Sequence, residues 1–368
     1  MYVLLSSVLL SVCLLSVCLL SLTFKSMLIG DTYLEKLSVP ATINCRLREY
    51  QREGIWFLYQ HYHGNSGAIL GDDMGLGKTV QVIAFFAAVL GKTGTKADVF
   101  GKYMKDTTNQ KKNTCISQTE GCFLVVSPGS VLYNWQDELD TWGYFKVRLY
   151  HGSSKEGVLE HALKGKLDIV LTTYETLRLN LVRVFSLFSM DKFNKVDWLA
   201  VIMDEAHRLK DPKAQLTIAA KALKVKRRYG LTGTPLQNRF SELWCVLDWA
   251  NPGCLGSVKR FMKEYSKPIK KGQRFNVTKR ELAVGRTMSK QLQSQLSQWF
   301  LRRTKDLISH ELPHKGELDE LDGKREGEGN GRHFWKWTFF RGVEHSLEDR
   351  ILEKFHDKVQ TAFYCRYS

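Results

Sequence analysis

Between residues 47 and 250, short apolar runs alternate with stretches of helical periodicity. The apolar runs are Gly67–Leu70, Cys122–Ser127, Lys146–Tyr150, Asp168–Thr172, Leu199–Met203 and Arg228–Leu231. They are nearly continuous in hydrophobicity, as strands covered on both faces are. Between them, apolar residues recur at helical spacing and predict helices over 47–60, 78–90, 130–140, 155–164, 213–223 and 240–249. Strand and helix in alternation predict an α/β fold, a parallel sheet with helices on both faces.

The two ends depart from this pattern. Tyr2 to Phe24 holds no charged residue and is long enough to span a bilayer. It has no cationic start and no small-residue cleavage site, and it repeats Leu-Leu-Ser with a period of five, which suits neither helix nor strand. Three readings stand: a signal or anchor, low-complexity sequence, or a mis-assigned start joined to a soluble body. Lys92–Gly121 is rich in Lys, Thr, Asn and Gly and reads as a solvated insert. A second shift follows Leu312-Pro313. Gly323–Gly331 reads as a linker, and Val343, Leu347, Ile351 and Phe355 recur every fourth residue, predicting an amphipathic helix over 346–359. The aromatic group Phe334, Trp335, Trp337, Phe339 and Phe340 either packs on the body or stacks on bases. The resulting division is 1–26, 39–255, 256–315 and 316–368.

Composition narrows the class. The 368 residues suit two domains, or one large domain with appendages, and 43% hydrophobic residues can bury a sizeable core. A mean hydropathy of −0.26 excludes a multi-span membrane protein. The eight cysteines are scattered without a CxxC pair, which argues against a zinc site or a disulfide scaffold and suits a reducing compartment. The net charge is +16, and Lys259 to Lys305 carries fourteen Lys or Arg. Only Glu264, Glu281 and, just beyond, Asp306 oppose them. Such a balance points to a polyanionic partner.

Chemistry concentrates in two places. Ala68-Ile69-Leu70-Gly71 is followed by Asp72-Asp73-Met74-Gly75-Leu76-Gly77-Lys78-Thr79 and then a helix. Strand, glycine loop, Lys-Thr and helix is the phosphate-cradling order. Gly75 and Gly77 let the backbone wrap phosphates, and the helix start offers free N–H groups. Lys78 can reach the outer phosphates and Thr79 can hold Mg²⁺. The strict motif has glycine where this chain has Asp72. The second place is Trp198–Met203, an apolar strand ending in Asp204-Glu205-Ala206-His207. Carboxylates at a buried strand end are costly unless they meet a cation. Asp204 is placed to bind Mg²⁺, and Glu205 to orient or deprotonate an attacking water. His207 makes structural or coupling hydrogen bonds, since no second ligand sits at metal spacing.

Taken in order, the segments Leu47–Gly54, DDMGLGKT, Ser127–Trp135, DEAH and Leu231-Thr232-Gly233-Thr234-Pro235-Leu236-Gln237-Asn238 resemble the first motor lobe of Swi/Snf-type DNA-translocating ATPases, a branch of the superfamily-two helicases. Glu242-Leu243-Trp244, Asp248-Trp249 and Phe300-Leu301-Arg302-Arg303-Thr304-Lys305 extend the resemblance, which spans roughly Val39 to Lys315. Asp137 to Phe145 points to the excision-repair cross-complementing-like branch, relatives of the Cockayne syndrome B protein. Asp73 stands where many relatives carry Glu.

The resemblance implies a RecA-like lobe that binds ATP and Mg²⁺. It implies that Gln51 contacts the adenine edge; the residues alone favour a polar residue on an amphipathic helix. It implies that Pro128, Asn134 and Trp135, with Thr172, Thr173 and Tyr174, line a DNA backbone path. Thr232, Gly233, Thr234 and Gln237 would couple the nucleotide and DNA sites. ATP hydrolysis on double-stranded DNA, a role in chromatin remodelling or repair, and a nuclear location follow as expectations. After Pro313 no second strand–helix series is legible. The reading is therefore a half-motor with weak hydrolysis, or a non-motor module that regulates a full-length or second-lobe partner. Membrane tethering by residues 1–24 is the minor alternative.

Overall fold

Strand β3 (Ala68–Leu70) is followed in the chain by β4 (Cys122–Ser127), β5 (Val147–Tyr150), β6 (Ile169–Thr173), β7 (Trp198–Asp204), β8 (Arg228–Leu231) and β9 (Phe300–Leu301). They form one seven-stranded sheet in the order β5-β6-β4-β7-β8-β3-β9, and every pairing is parallel. A separate antiparallel pair joins β1 (Met27–Leu28) to β2 (Ser38–Val39). This computed structural model describes residues 27–28, 37–100, 121–182, 193–234 and 240–307. The N-terminal run 1–26, most of the 92–121 insert, Gln237, and the expected linker and helix of 316–368 lie outside them. The described residues all fall within one compact unit, 1–307. Among them, no helix is long and apolar enough to cross a membrane.

The near-continuous hydrophobicity of the strands has its cause in the layering. Along β4, Cys122, Leu124 and Val126 pack into the core on one face, while Phe123 and Val125 pack into the core on the other. Strand side chains alternate faces, so a strand covered on both must be apolar at every position. One face is covered by the helices Glu49–His63, Lys78–Val89 and Leu132–Trp142. The other is covered by Val158–Leu163, Tyr174–Val182, Gln215–Ala222 and Phe240–Ala250. Of these seven, only Tyr174–Val182 is absent from the helices expected of the sequence.

The helix Lys78–Val89 is buried along Val80 to Val89, with Phe85 edge-on to Tyr62, Phe123 and Tyr229. A helix apolar all round is a core helix, so the loop before it is held by the interior and not by surface contacts.

Past Ala250 the chain becomes helical and basic, through Val258–Phe261, a π turn over Met262–Ser266, Lys267–Gly272 and Lys279–Leu296. Gly272 and Gly285 bring the last two helices together: a Cβ on Gly272 would sit 3.1 Å from the Gly285 Cα. Thr278 and Glu281 cap the final helix reciprocally. The chain then returns to the sheet as β9 beside β3, with Ile69 and Gly71 donating to the Trp299 and Leu301 carbonyls, each at 2.7 Å. A two-residue strand leaves no periodicity to read, and the expected strands do not include it.

Candidate active site

Because every strand of the sheet runs the same way, the loops after β3, β4, β6, β7 and β8 emerge at one edge, where open α/β sheets hold ligands. That edge gathers the phosphate loop, the acidic pair and Thr232–Thr234.

Gly75 and Gly77 have φ of +92° and +72°, the left-handed region that glycine enters at little cost. At Gly77 a side chain is excluded sterically as well: its Cβ would lie 2.5 Å from Gln51 Nε2. Gln51 is buried, accepts from the Arg48 amide and donates to the Leu76 carbonyl at 3.4 Å. It thus ties the start of its helix to the phosphate loop. No side chain caps the helix at Gly77, so its first N–H groups face the loop. Thr79 is half-buried in the first turn. This cradle suits a polyphosphate: left-handed glycines, open N–H groups and one lysine.

Lys78 Nζ donates to the carbonyls of Asp72 at 2.7 Å and Asp73 at 3.2 Å. Burial holds its pKa below the ordinary lysine value, opposed by the carboxylates of Asp72, Glu205, Asp204 and Asp73. Met74 is exposed and lies over Gly233, where a Cβ would meet Met74 Cγ at 2.6 Å and Lys78 Nζ at 3.4 Å. Gly233 is therefore packed directly on the phosphate loop.

Asp72, the departure from the strict motif, is fully buried, and the structure supplies its partner. Arg303 spans it with two bonds, Nε to Oδ1 at 3.0 Å and Nη2 to Oδ2 at 2.5 Å. Arg302 pairs with Asp73 at 3.2 Å. These arginines are the residues that sequence reasoning missed as site components. They lie about 230 positions from their partners, at the end of a two-residue strand. Only the unexplained aspartate at the glycine position hinted at a buried cation.

Asp204 ends β7 and is held by neighbours that the sequence places on a DNA path. Trp135 is buried and its Nε1 donates to Asp204 Oδ2 at 2.8 Å. The Tyr174 hydroxyl donates to the Asp204 carbonyl at 2.6 Å. Burial holds the Asp204 carboxyl above the usual carboxylate range, and the Trp135 bond opposes that rise. Replacing Trp135 by phenylalanine is accordingly expected to raise it further. The Asp204 carboxylate in Trp135→Phe should then take up its proton at a higher pH than in the wild type, as read by carboxylate infrared or NMR titration. Superimposable pH profiles would exclude this role for the indole.

Glu205 sits at φ +54°, a left-handed position rare for a side chain of its size and the kind of local strain found at functional sites. Its Oε2 is buried without a hydrogen bond and faces His207 Nδ1 at 3.0 Å. His207 Nδ1 lies 3.5 Å from Thr232 Oγ1, which is 3.1 Å from Thr234 Oγ1. A polar thread therefore runs from Glu205 through His207 to Thr232 and Thr234. Its expected end at Gln237 falls outside the described residues.

The DNA-path residues divide. Thr172, Thr173, Tyr174 and Trp135 are buried and committed internally: Thr172 donates to the Tyr150 carbonyl at 2.9 Å and Thr173 to Thr176 Oγ1 at 3.0 Å. Their side chains turn inward at this corner. Thr172 and Thr173 end a strand covered on both faces, and Tyr174 and Trp135 lie in helices that follow such strands. Pro128 is buried too, and Asn134 is half-buried. The open groups at this corner are Gly129, Ser130 and Tyr133, the last 60% exposed.

Residues 50–319 match the family model described as the SNF2-related domain. The mouse protein "DNA excision repair protein ERCC-6-like 2" is 54% identical over 278 residues, covering 76% of this chain and 18% of that protein. "Switch 2" of Arabidopsis thaliana is 39% identical over 272 residues, covering 73% of this chain and 29% of the relative. The chain thus spans under a third of the length of these curated relatives. Among solved structures, the Sulfolobus solfataricus SWI2/SNF2 ATPase core in complex with dsDNA aligns with a TM-score of 0.52 at 29% identity, covering 75% of this chain and 47% of that one.

Proposed function

The chain belongs to the SNF2-related family, and from that membership and the cradle geometry we propose that it is the ATP-binding lobe of a DNA-dependent ATPase acting in DNA repair or chromatin remodelling. The observation that carries the proposal is the meeting of the Gly75–Thr79 loop with Asp204 and Glu205 at one sheet edge. Lys78 binds the outer phosphates, which requires its Nζ to leave the Asp72 and Asp73 carbonyls. Thr79 and Asp204 would hold Mg²⁺, which would neutralise charge on the phosphates, and Gln51 stands beside the loop to read the adenine. ATP supplies the phosphoryl group. Glu205, at the end of the polar thread, positions the attacking water, and His207 with Thr232, Gly233 and Thr234 reports the state of the phosphates toward the DNA face. Titration with a fluorescent ATP analogue tests the nucleotide half. Saturable binding strengthened by Mg²⁺ is expected, and no binding would reject it.

Duplex DNA contact is proposed at the corner of Gly129, Ser130, Tyr133 and Asn134 and along the basic helices. All eleven Lys and Arg from Lys259 to Lys290 are exposed. Contacts to phosphates carry no sequence information, so binding is expected to be indifferent to sequence and steep in salt, with a log–log slope of about −0.9 per phosphate neutralised. Reversing charge at Lys270, Lys271 and Arg274 should weaken duplex binding roughly uniformly across sequences and flatten that slope by about 3. A slope unchanged by the triple reversal would remove these helices from the interface. A nuclear setting agrees with this reading.

A further inference from the structure

We propose that Arg303 is a positioning residue for the nucleotide: its guanidinium neutralises Asp72 and fixes the floor of the phosphate loop. The inference rests on the ATP reading above. A carboxylate directly under a triphosphate site repels the ligand unless a cation offsets it. Asp72 is fully buried, so solvent does not screen it.

The offset is built with unusual redundancy. Besides its two side-chain bonds to Asp72, Arg303 donates its own amide to Asp72 Oδ1 at 3.1 Å. Its Nη2 also donates to Gln81 Oε1 at 2.9 Å, and Nη1 donates to the Tyr50 carbonyl. Gln81 in turn donates to Asp72 Oδ2 and to the Leu76 carbonyl, each at 3.3 Å. One side chain therefore joins the helix that carries Gln51, the phosphate loop and the buried helix behind it. The main chain repeats the attachment: the Asp73 amide donates to the Arg303 carbonyl at 3.0 Å and the Lys305 amide to Asp73 Oδ2 at 3.3 Å. The residues held in this way are Asp72 and Asp73, whose backbone carbonyls Lys78 grips. Room for the guanidinium depends on Gly54, where a Cβ would lie 2.8 Å from Arg303 Nη2 and 1.8 Å from Gln81 Oε1.

Breaking a buried pair by removing one partner leaves an uncompensated charge, whereas removing both charges does not. Charge rescue therefore separates this role from a merely structural one. The test measures affinity for a fluorescent ATP analogue alongside thermal melting of the full chain. Arg303→Gln is expected to lose at least about tenfold in affinity, the worth of a charge-assisted contact. Adding Asp72→Asn to it should recover most of that loss. Gly54→Ala leaves every charge in place, but its Cβ overlaps Gln81 Oε1 and Arg303 Nη2, so both side chains must shift; where its melting curve stays cooperative, it should weaken binding by displacing the guanidinium. Wild-type affinity in Arg303→Gln, or a double variant no better than the single, overturns the proposal. If Arg303→Gln does not fold, wild-type affinity in Gly54→Ala overturns it. Loss of the ATP reading would look different, as an absence of nucleotide binding by the wild type or full binding by Lys78→Ala.

Discussion

Replacing Lys78 with alanine is expected to weaken binding of an ATP analogue by about 10- to 100-fold, the worth of a charge-assisted hydrogen bond of roughly 1.5–3 kcal/mol. The lysine leads a helix that is sealed in the core from Val80 to Val89, so no other cation on that element can take its place. Nζ donates to two carbonyls of its own loop, and a phosphate competes with them for its three N–H donors. That competition lowers the net gain and places the effect within this range instead of far above it. The fold should survive, because the side chain is half-buried and alanine favours the first helical turn. Fluorescence anisotropy titration with a parallel melting curve decides the matter. Equal affinity in the two proteins would dismiss Lys78 as a phosphate ligand.

Glu205→Gln should separate binding from turnover. Glutamine keeps the shape and a hydrogen-bonding oxygen but cannot take a proton. Hydrolysis is expected to fall by roughly 10²–10⁴-fold, the usual contribution of a general base, with affinity for the analogue nearly unchanged. The contact of this carboxylate with His207 Nδ1 changes at the same time, so the polar thread to Thr232 should loosen. Single-turnover hydrolysis, with enzyme in excess, measures the chemical step even where steady-state turnover is slow. Retained hydrolysis in Glu205→Gln would place the base elsewhere. A parallel collapse of affinity would mean that Glu205 shapes the site instead of serving the chemistry.

Much of this site is legible in the order of the residues alone. A glycine loop between an apolar strand and a helix has a local signature, and so has a carboxylate pair ending an apolar strand. Both signatures depend on neighbours in the chain. The roles of Trp135 and Tyr174 are not legible in the same way. At the starts of helices that follow strands they resemble part of an exposed phosphate-binding path, yet both turn inward to hold Asp204. Whether a residue at a strand end faces solvent or the next strand depends on which strand lies beside it, and β4, β6 and β7 are adjacent here. Asp72 is the reverse case. It is visible as an anomaly in the motif but has no explanation until β9 brings Arg303 beneath it.

The sequence by itself determined the layering, the six main strands, all but one of the helices that cover them, and the places of the glycine loop and the acidic pair. Each is encoded in periodicity or in contiguous motif chemistry, which act over a few residues. Tertiary structure alone decided three things: the strand order, the seating of β9 beside β3, and hence the clamp of Arg303 on Asp72. Those contacts join residues some 230 positions apart, and nothing in the local pattern of Phe300–Leu301 distinguishes an edge strand from a loop. They form because the sheet leaves an unpaired edge at β3 and a buried carboxylate beside it, two deficits that only the assembled fold creates.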